Sequence, residues 1–221
     1  MSKRTLSPLI GALMFLLFYL AVSPVAGIFS VGELPLPGSP AAEVHDYLAA
    51  NTVPSMITGL LQALSGLGLG IVVAGSLPRR GGVYSVGHRQ RGLGLTAGWT
   101  AVAAIIVSAA LSIALSMIAT TASTDTVAMI RSISFYAGGV VHVVALGVFV
   151  LSVVARHGRS RLVRVLAWIA GCLAVLSLLS VVVYYASLFL PVGRLACMVA
   201  LVVAGAGIAR RPVIAEAAPA F

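Results

Sequence analysis

Residues 94–119 read GLTAGWTAVAAIIVSAALSIALSMIA and contain no Asp, Glu, Lys or Arg. An α-helix rises about 1.5 Å per residue, so this stretch spans about 39 Å, more than the roughly 30 Å hydrocarbon core of a bilayer. The stretch therefore predicts a transmembrane helix.

Five further apolar stretches flank this one, each bounded by charged residues, proline or a polar cluster. They cover 8–29, 53–76, 132–154, 164–188 and 192–209. Together the stretches predict an all-α fold, a polytopic membrane helix bundle with six transmembrane helices, in one integral membrane domain over 1–221. The chain is 60% hydrophobic and 9% charged, whereas soluble domains carry about 25% charged residues. This composition excludes a soluble enzyme, a nucleic-acid-binding domain and a secreted disulfide scaffold.

The positions of the cations predict the orientation of the bundle. If all six stretches cross, twelve of the 14 Lys and Arg residues fall on one side of the membrane. These are Lys3, Arg4, Arg79, Arg80, Arg89, Arg91, Arg156, Arg159, Arg161, Arg164, Arg210 and Arg211. By the positive-inside rule that side is the cytoplasm, so both termini are predicted to be cytoplasmic. The first stretch is expected to remain uncleaved, because Ser23–Gly27 is a poor signal-peptide cleavage site; cleavage is the alternative.

The predicted outer loop, 31–51, has an irregular proline-rich half followed by a short helix. Ser39 is the expected N-cap of this helix and Pro40 its first residue. One face of the helix is expected to lie along the membrane interface. The residues of that face are Val44, Tyr47 and Leu48.

Three polar residues are predicted to share one layer near the middle of the membrane. His142, Gln62 and Ser108 reach similar depths when each is counted along its own stretch at about 1.5 Å per residue. Buried polar groups in a membrane are costly unless partnered, and a layer of this kind can bind a small polar ligand or relay a proton. The alternative is that these residues only join helices through hydrogen bonds.

A stripe of small residues recurs at every fourth position of the third stretch. Its members are Thr96, Thr100, Ala104, Ser108, Ser112, Ser116 and Thr120. The second stretch offers a matching row in Gln62, Gly66, Gly70 and Ala74. Small rows of this kind favour close packing of two helices, and a hydroxyl-lined pathway that includes Ser112 is the alternative.

Arg194 lies within the first turn of the sixth stretch, directly after a tight turn at Phe189–Gly193 that is predicted to join it to the fifth. Its role is either to extend to the lipid headgroups or to capture an anionic group at an outer vestibule. Asp125 and Arg131 are expected to pair with one another, with Arg194 or with the acidic residues of the outer loop.

The sequence offers no motif for catalysis, for a metal or for a cofactor. It lacks P-loop and GxSxG signatures, paired acids within a stretch, and a lysine for a Schiff base. Cys172 and Cys197 differ in predicted depth by roughly 10 Å, too far apart for a disulfide. We therefore expect no catalytic residue, no metal ligand and no cofactor, and an enzyme is the least favoured class.

The layout resembles the uncharacterised small six-helix integral membrane proteins of actinobacteria that are grouped under domains of unknown function. The similar features are a basic N-terminus with Leu-Ile-Gly-Ala-Leu at 9–13 and an acidic outer stretch, Pro40–Asn51, before the second crossing. The resemblance covers most of the chain. It implies a membrane bundle and no particular activity.

These observations favour a protein of the bacterial cytoplasmic membrane that binds or transports a small or lipophilic ligand in a pocket between helices. The residues expected to form that pocket are His142, Gln62, Ser108, Ser112 and Arg194. The alternative is a structural or accessory subunit of a larger membrane complex. Expected partners are membrane lipids, a small lipophilic or polar ligand, and other membrane subunits or further copies of the chain, but not nucleic acid. A cavity near His142 would favour the ligand, and a filled interior the accessory subunit.

Overall fold

The computed structural model describes residues 7–36, 38–76, 88–155, 160–181 and 189–209. Within these ranges the chain is helical and has no strand. Six helices of the described residues are long and apolar enough to cross a membrane. The predicted fold class is confirmed: the protein is a multi-pass membrane helix bundle.

The helices of these ranges follow one another with short connections. In chain order they are α1 (Ser7–Gly27), α2 (Ala41–Ala50), α3 (Thr52–Gly75), α4 (His88–Ile118), α5 (Thr124–Val154), α6 (Arg161–Leu176) and α7 (Phe189–Ala209). The short α2 is the one that does not span. A 3₁₀ turn, Ser177–Val181, extends α6.

The start of α5 differs from the prediction, which placed it at 132. The helix begins at Thr124, because the hydroxyl of Ser123 caps it by accepting a hydrogen bond from the backbone N–H of Thr126 at 3.4 Å. The polar first turns of α5 have low hydropathy, so a search for apolar stretches passes over them. This helix is consequently 31 residues long, the same length as α4.

The tight turn predicted at Phe189–Gly193 is wrong. These residues form the beginning of α7. Pro191 is tolerated there because the N–H groups of a first helical turn have no partner within the helix. The connection from α6 to α7 falls on 182–188, outside the described residues.

The spanning helices form a closed ring in chain order. Each packs against the next, and α7 packs against α1. Glycines permit the closest approaches: a Cβ on Gly68 of α3 would lie 2.7 Å from the carbonyl oxygen of Gly11 on α1, and one on Gly205 of α7 would lie 2.9 Å from Cα of Leu9. Consecutive helices are therefore neighbours in space, and each short connection joins two helices that pack together.

The interior of the ring is filled by large side chains, whereas the outside exposes apolar ones. Phe15, Leu69, Leu146, Phe149 and Met198 are fully buried in one cluster. The exposed outer side chains, among them Leu17, Leu60, Val107, Leu162 and Ile169, match the apolar hydrocarbon of a membrane.

Helix α2 packs on the ends of α4 and α5. Its Leu48 is buried against Leu115, Ala119 and Val127. The face expected along the membrane interface therefore contacts protein. The prediction of the helix is confirmed, but its N-cap is Pro40, and Ser39 makes no capping hydrogen bond.

Asn51, between α2 and α3, fixes the loop that follows α1. Its side-chain amide accepts a hydrogen bond from the N–H of Val31 at 2.7 Å and donates to the carbonyl of Val31 at 3.0 Å. It also donates to the carbonyl of Tyr47 at 2.8 Å. Asn51 is fully buried, so these bonds hold the loop and α2 together at what we call the α2 end of the bundle.

Two stretches of α5 are wound as π-helix, Tyr136–Val141 and Val150–Val154. A π turn bonds each residue to the fifth one along, which widens the helix locally and is frequent at functional sites. The first stretch lies immediately before His142.

Candidate functional site

His142 occupies the centre of the bundle. It is 0% exposed, and its Nδ1 donates a hydrogen bond to the carbonyl oxygen of Ala101, on α4, at 2.8 Å. The edge of the ring packs against Phe15 of α1, with ring centroids 5.9 Å apart. Because a carbonyl can only accept, Nδ1 carries the proton, and Nε2 of the neutral ring is an acceptor. This buried Nε2 has no partner among the described residues.

Arg194 lies nearby on α7 and is 8% exposed. Its guanidinium donates to the carbonyl oxygen of Gly138 on α5 and stacks over the ring of Tyr19 on α1, 4.9 Å from the ring centroid. Its Nε–H is buried and has no partner in the described ranges. Those ranges also give it no ion pair with a carboxylate.

Arg194 and His142 belong to adjacent layers of the same helix contact. Arg194 contacts Tyr19 and Gly138. His142 contacts Phe15, which lies four residues before Tyr19 on α1. Four residues of helix correspond to about 6 Å, so the two layers follow one another along α1. We call these two side chains the buried Arg–His pair.

The predicted polar layer of His142, Gln62 and Ser108 is two separate contacts in the structure. Ser108 donates to Gln62 Oε1 at 3.5 Å, so these two meet. Ser108 also shares a hydrogen bond with Ser134 on α5, at 3.0 Å, and Ser112 donates to the carbonyl of Ser108 at 3.0 Å. His142 is bonded to Ala101, not to Gln62 or Ser108. The Gln62–Ser108 contact is therefore a helix junction beside the Arg–His pair.

Gly138 connects the two clusters and was not singled out from the sequence. A Cβ added to it would meet the side chain of Ser108, and its carbonyl accepts from Arg194. The available signal was the pair Gly138–Gly139 inside a spanning stretch, because glycine in a helix is costly without a packing reason. Tyr19 and Ser134 carried no comparable signal.

Helices α3 and α4 pack closely, but the glycines of α3 meet residues of α4 that lie beside the predicted row of small residues. A Cβ on Gly66 would lie 2.9 Å from Cγ2 of Ile105, and one on Gly59 would lie 2.8 Å from the carbonyl oxygen of Ala109. Ser112 is 7% exposed. These distances favour close packing over a hydroxyl-lined pathway.

Arg131 was expected to form ion pairs at the α2 end. No ion pair among the described residues involves Arg131. At this end His45 Nδ1 and a carboxylate oxygen of Asp46 share a hydrogen bond of 3.2 Å. Arg131 instead lines a cavity of about 130 Å³ between α5 and the loop before α2.

The described residues contain no group of three or more His, Cys, Asp or Glu that could hold a metal ion. Cys172 is exposed on α6, Cys197 is buried on α7, and both are free thiols.

Comparisons with family models, with curated proteins and with solved structures find no match to this chain. The resemblance to six-helix membrane proteins of actinobacteria therefore stays a prediction.

Proposed function

We propose that this chain is a non-enzymatic protein of the bacterial cytoplasmic membrane that binds a small oxyanion at the buried Arg–His pair and transports it when the helices separate. The observation that carries the proposal is the charge of Arg194. It lies in a packed core, and no carboxylate of the described residues pairs with it.

A buried arginine in a membrane is expensive, and such residues mark substrate or ion pathways. The partners of Arg194 in the described residues are the neutral carbonyl of Gly138 and Tyr19, whose ring it stacks on and whose side chain also hydrogen-bonds with it. Neither removes the positive charge. An anion would both neutralise the guanidinium and make charge-assisted hydrogen bonds with it.

The two atoms without partners define the chemistry of the ligand. Arg194 Nε–H needs an acceptor, and Nε2 of neutral His142 needs a donor. A protonated oxyanion, such as bicarbonate or hydrogen phosphate, carries both an anionic oxygen and a hydroxyl. Chloride carries no hydroxyl, so it can satisfy Arg194 alone.

The test measures thermal unfolding of the purified protein in nanodiscs of neutral lipid, with bicarbonate, phosphate or chloride added. A ligand that binds the folded state raises the melting temperature in proportion to its saturation. We expect bicarbonate or phosphate to raise it more than chloride, and Arg194→Gln and His142→Phe to abolish the difference. Arg161→Gln is the matched control, because Arg161 is exposed at the start of α6.

Equal melting in all three anions, or an unchanged response in Arg194→Gln, would contradict the proposal. The unpaired atoms would then be bridged by buried water, which also donates and accepts.

A filled core is the feature expected of an accessory subunit and not of a ligand pocket, and the interior around His142 is filled. This supports a second candidate, a structural or accessory subunit. Helix α6 presents a broad apolar face, with Leu162 63%, Trp168 49% and Ile169 54% exposed. Another membrane subunit or a second copy could cover this face. Counting chains by photobleaching in native nanodiscs separates the candidates, because a lone chain that responds to bicarbonate needs no partner.

A further inference from the structure

A separate cavity lies at the α2 end, away from the buried Arg–His pair. Its volume is about 130 Å³, enough for several water molecules and so for a phosphate group. One wall is α5, with Arg131, Ser132 and Phe135, and the other is the loop before α2, with Leu36 and Ser39.

The cavity contains a cation that no carboxylate of the described residues neutralises. Arg131 is half-buried and has neither a hydrogen bond nor an ion pair with another described residue. Glu43, Asp46 and Asp125 are all exposed, although the sequence made them its expected partners. Ser39 and Ser132 line the same space. The hydroxyl of Ser132 already donates to the carbonyl of Ala128 at 2.9 Å, so the cavity offers a guanidinium and the hydroxyl of Ser39 to an anion.

The margin of the cavity is apolar. Leu36 is 63% exposed and Tyr136 is 52% exposed, and both line it. Arg131 is seven residues from the start of α5, which corresponds to a depth of about 10 Å. A lipid carries its charged headgroup next to its apolar chains, so it can contact both Arg131 and the apolar margin. A soluble ion would contact Arg131 alone.

We propose that this cavity binds the phosphate group of an anionic phospholipid from the leaflet at the α2 end. Arg131 binds the phosphate oxygens, the hydroxyl of Ser39 donates to them, and the acyl chains extend into the membrane past Leu36 and Tyr136. Asn51 keeps the wall in place, because it fixes both Val31 and Tyr47. The lipid site is independent of the proposed transport function, because it does not involve Arg194 or His142.

The test is native mass spectrometry of the purified full chain, titrated with phosphatidylglycerol, phosphatidylcholine or soluble glycerol 1-phosphate. We expect one phosphatidylglycerol to be retained more tightly than any phosphatidylcholine. Arg131→Gln should weaken that binding by about tenfold or more, the size of effect that one lost charge-assisted contact produces. Arg161→Gln removes the same charge elsewhere and should leave it unchanged.

A second variant tests the same site without changing a residue of a helix, in case Arg131→Gln does not fold. Leu36 is exposed on a loop, so Leu36→Glu leaves the helices intact and places a carboxylate beside Arg131. It should weaken phosphatidylglycerol binding as Arg131→Gln does, with an unchanged melting temperature.

Equal retention of the two lipids, or undiminished binding in both variants, would overturn the proposal. So would Arg131-dependent binding of glycerol 1-phosphate without binding of phosphatidylglycerol, because the site would then belong to a soluble phosphate ester.

Discussion

The guanidinium of Arg194 on α7 donates a hydrogen bond to the carbonyl oxygen of Gly138, inside the first π-helical stretch of α5. The wider π turn changes the direction of the backbone carbonyls relative to an α-helix. A polar side chain from another helix can then bond to the backbone in the middle of the bundle. This bond joins two helices that are not consecutive in the ring.

We predict that Arg194→Met does not lower the stability of the protein. Replacing a buried charge by an apolar side chain of similar volume is often neutral or stabilising, because the cost of desolvating the charge disappears. No carboxylate of the described residues would be left unpaired. Thermal unfolding in neutral nanodiscs checks this, and a loss above about 2 kcal/mol, the range of a broken buried hydrogen bond, would mean that Arg194 mainly holds helices together.

Gly138→Ala should destabilise the bundle, and Ser108→Gly should reverse most of that loss. The added Cβ would meet the side chain of Ser108 and lie 2.6 Å from its Cβ, closer than packed carbon atoms approach. Overpacking typically costs about 1–3 kcal/mol. A double-mutant cycle measures the coupling, and additive effects of the two substitutions would refute the contact.

The number and places of the crossings could be read from the sequence, because each requires about 20 apolar residues in a row. The start of α5 could not, since its first turns are polar and depend on a cap at Ser123. The sequence also indicated that His142 is a buried polar residue. It could not identify the partner, because Ala101 contributes a backbone carbonyl and every residue has one.

The arrangement of the Arg–His pair was also hidden for a physical reason. The sequence places Arg194 in the first turn of its helix, from where it could extend to the headgroups. In the structure α7 begins three residues earlier than predicted, at Phe189, and the side chain of Arg194 reaches the carbonyl of Gly138. Which residues of α1 and α5 face α7 depends on how the ring closes. That is a property of packing between distant segments and not of local pattern.

The orientation of the bundle is testable with introduced thiols. In a Cys172→Ala, Cys197→Ala background, Thr121→Cys and Ser160→Cys each place one thiol at an exposed position outside the helices. The cation distribution predicts that an impermeant reagent reaches position 121 on intact cells, and position 160 only after permeabilisation. Gly82, in the basic connection outside the described residues, should behave as Ser160 does. Labelling of 160 on intact cells, with 121 protected, would invert the topology.

Closure of the ring depends on the contact between α1 and α3, and we expect Gly68→Ala to weaken it. A Cβ there would lie 2.6 Å from the backbone nitrogen of Phe15 and 2.7 Å from the carbonyl oxygen of Gly11. These are backbone atoms, so no side chain can rotate away and the helices must separate. Ser65 would then lose its hydrogen bond to the carbonyl of Phe15, now 2.8 Å.

Overpacking of this kind predicts a loss of about 1–3 kcal/mol, measured by thermal unfolding in nanodiscs. Gly207→Ala is the matched control, because a Cβ at that helical glycine meets nothing within 4 Å. Alanine is the better helix former by up to about 1 kcal/mol, so the control should be neutral or slightly stabilising. If Gly68→Ala were as stable as Gly207→Ala, α1 would not approach α3 as closely as the structure has it, and the ring would be looser on that side.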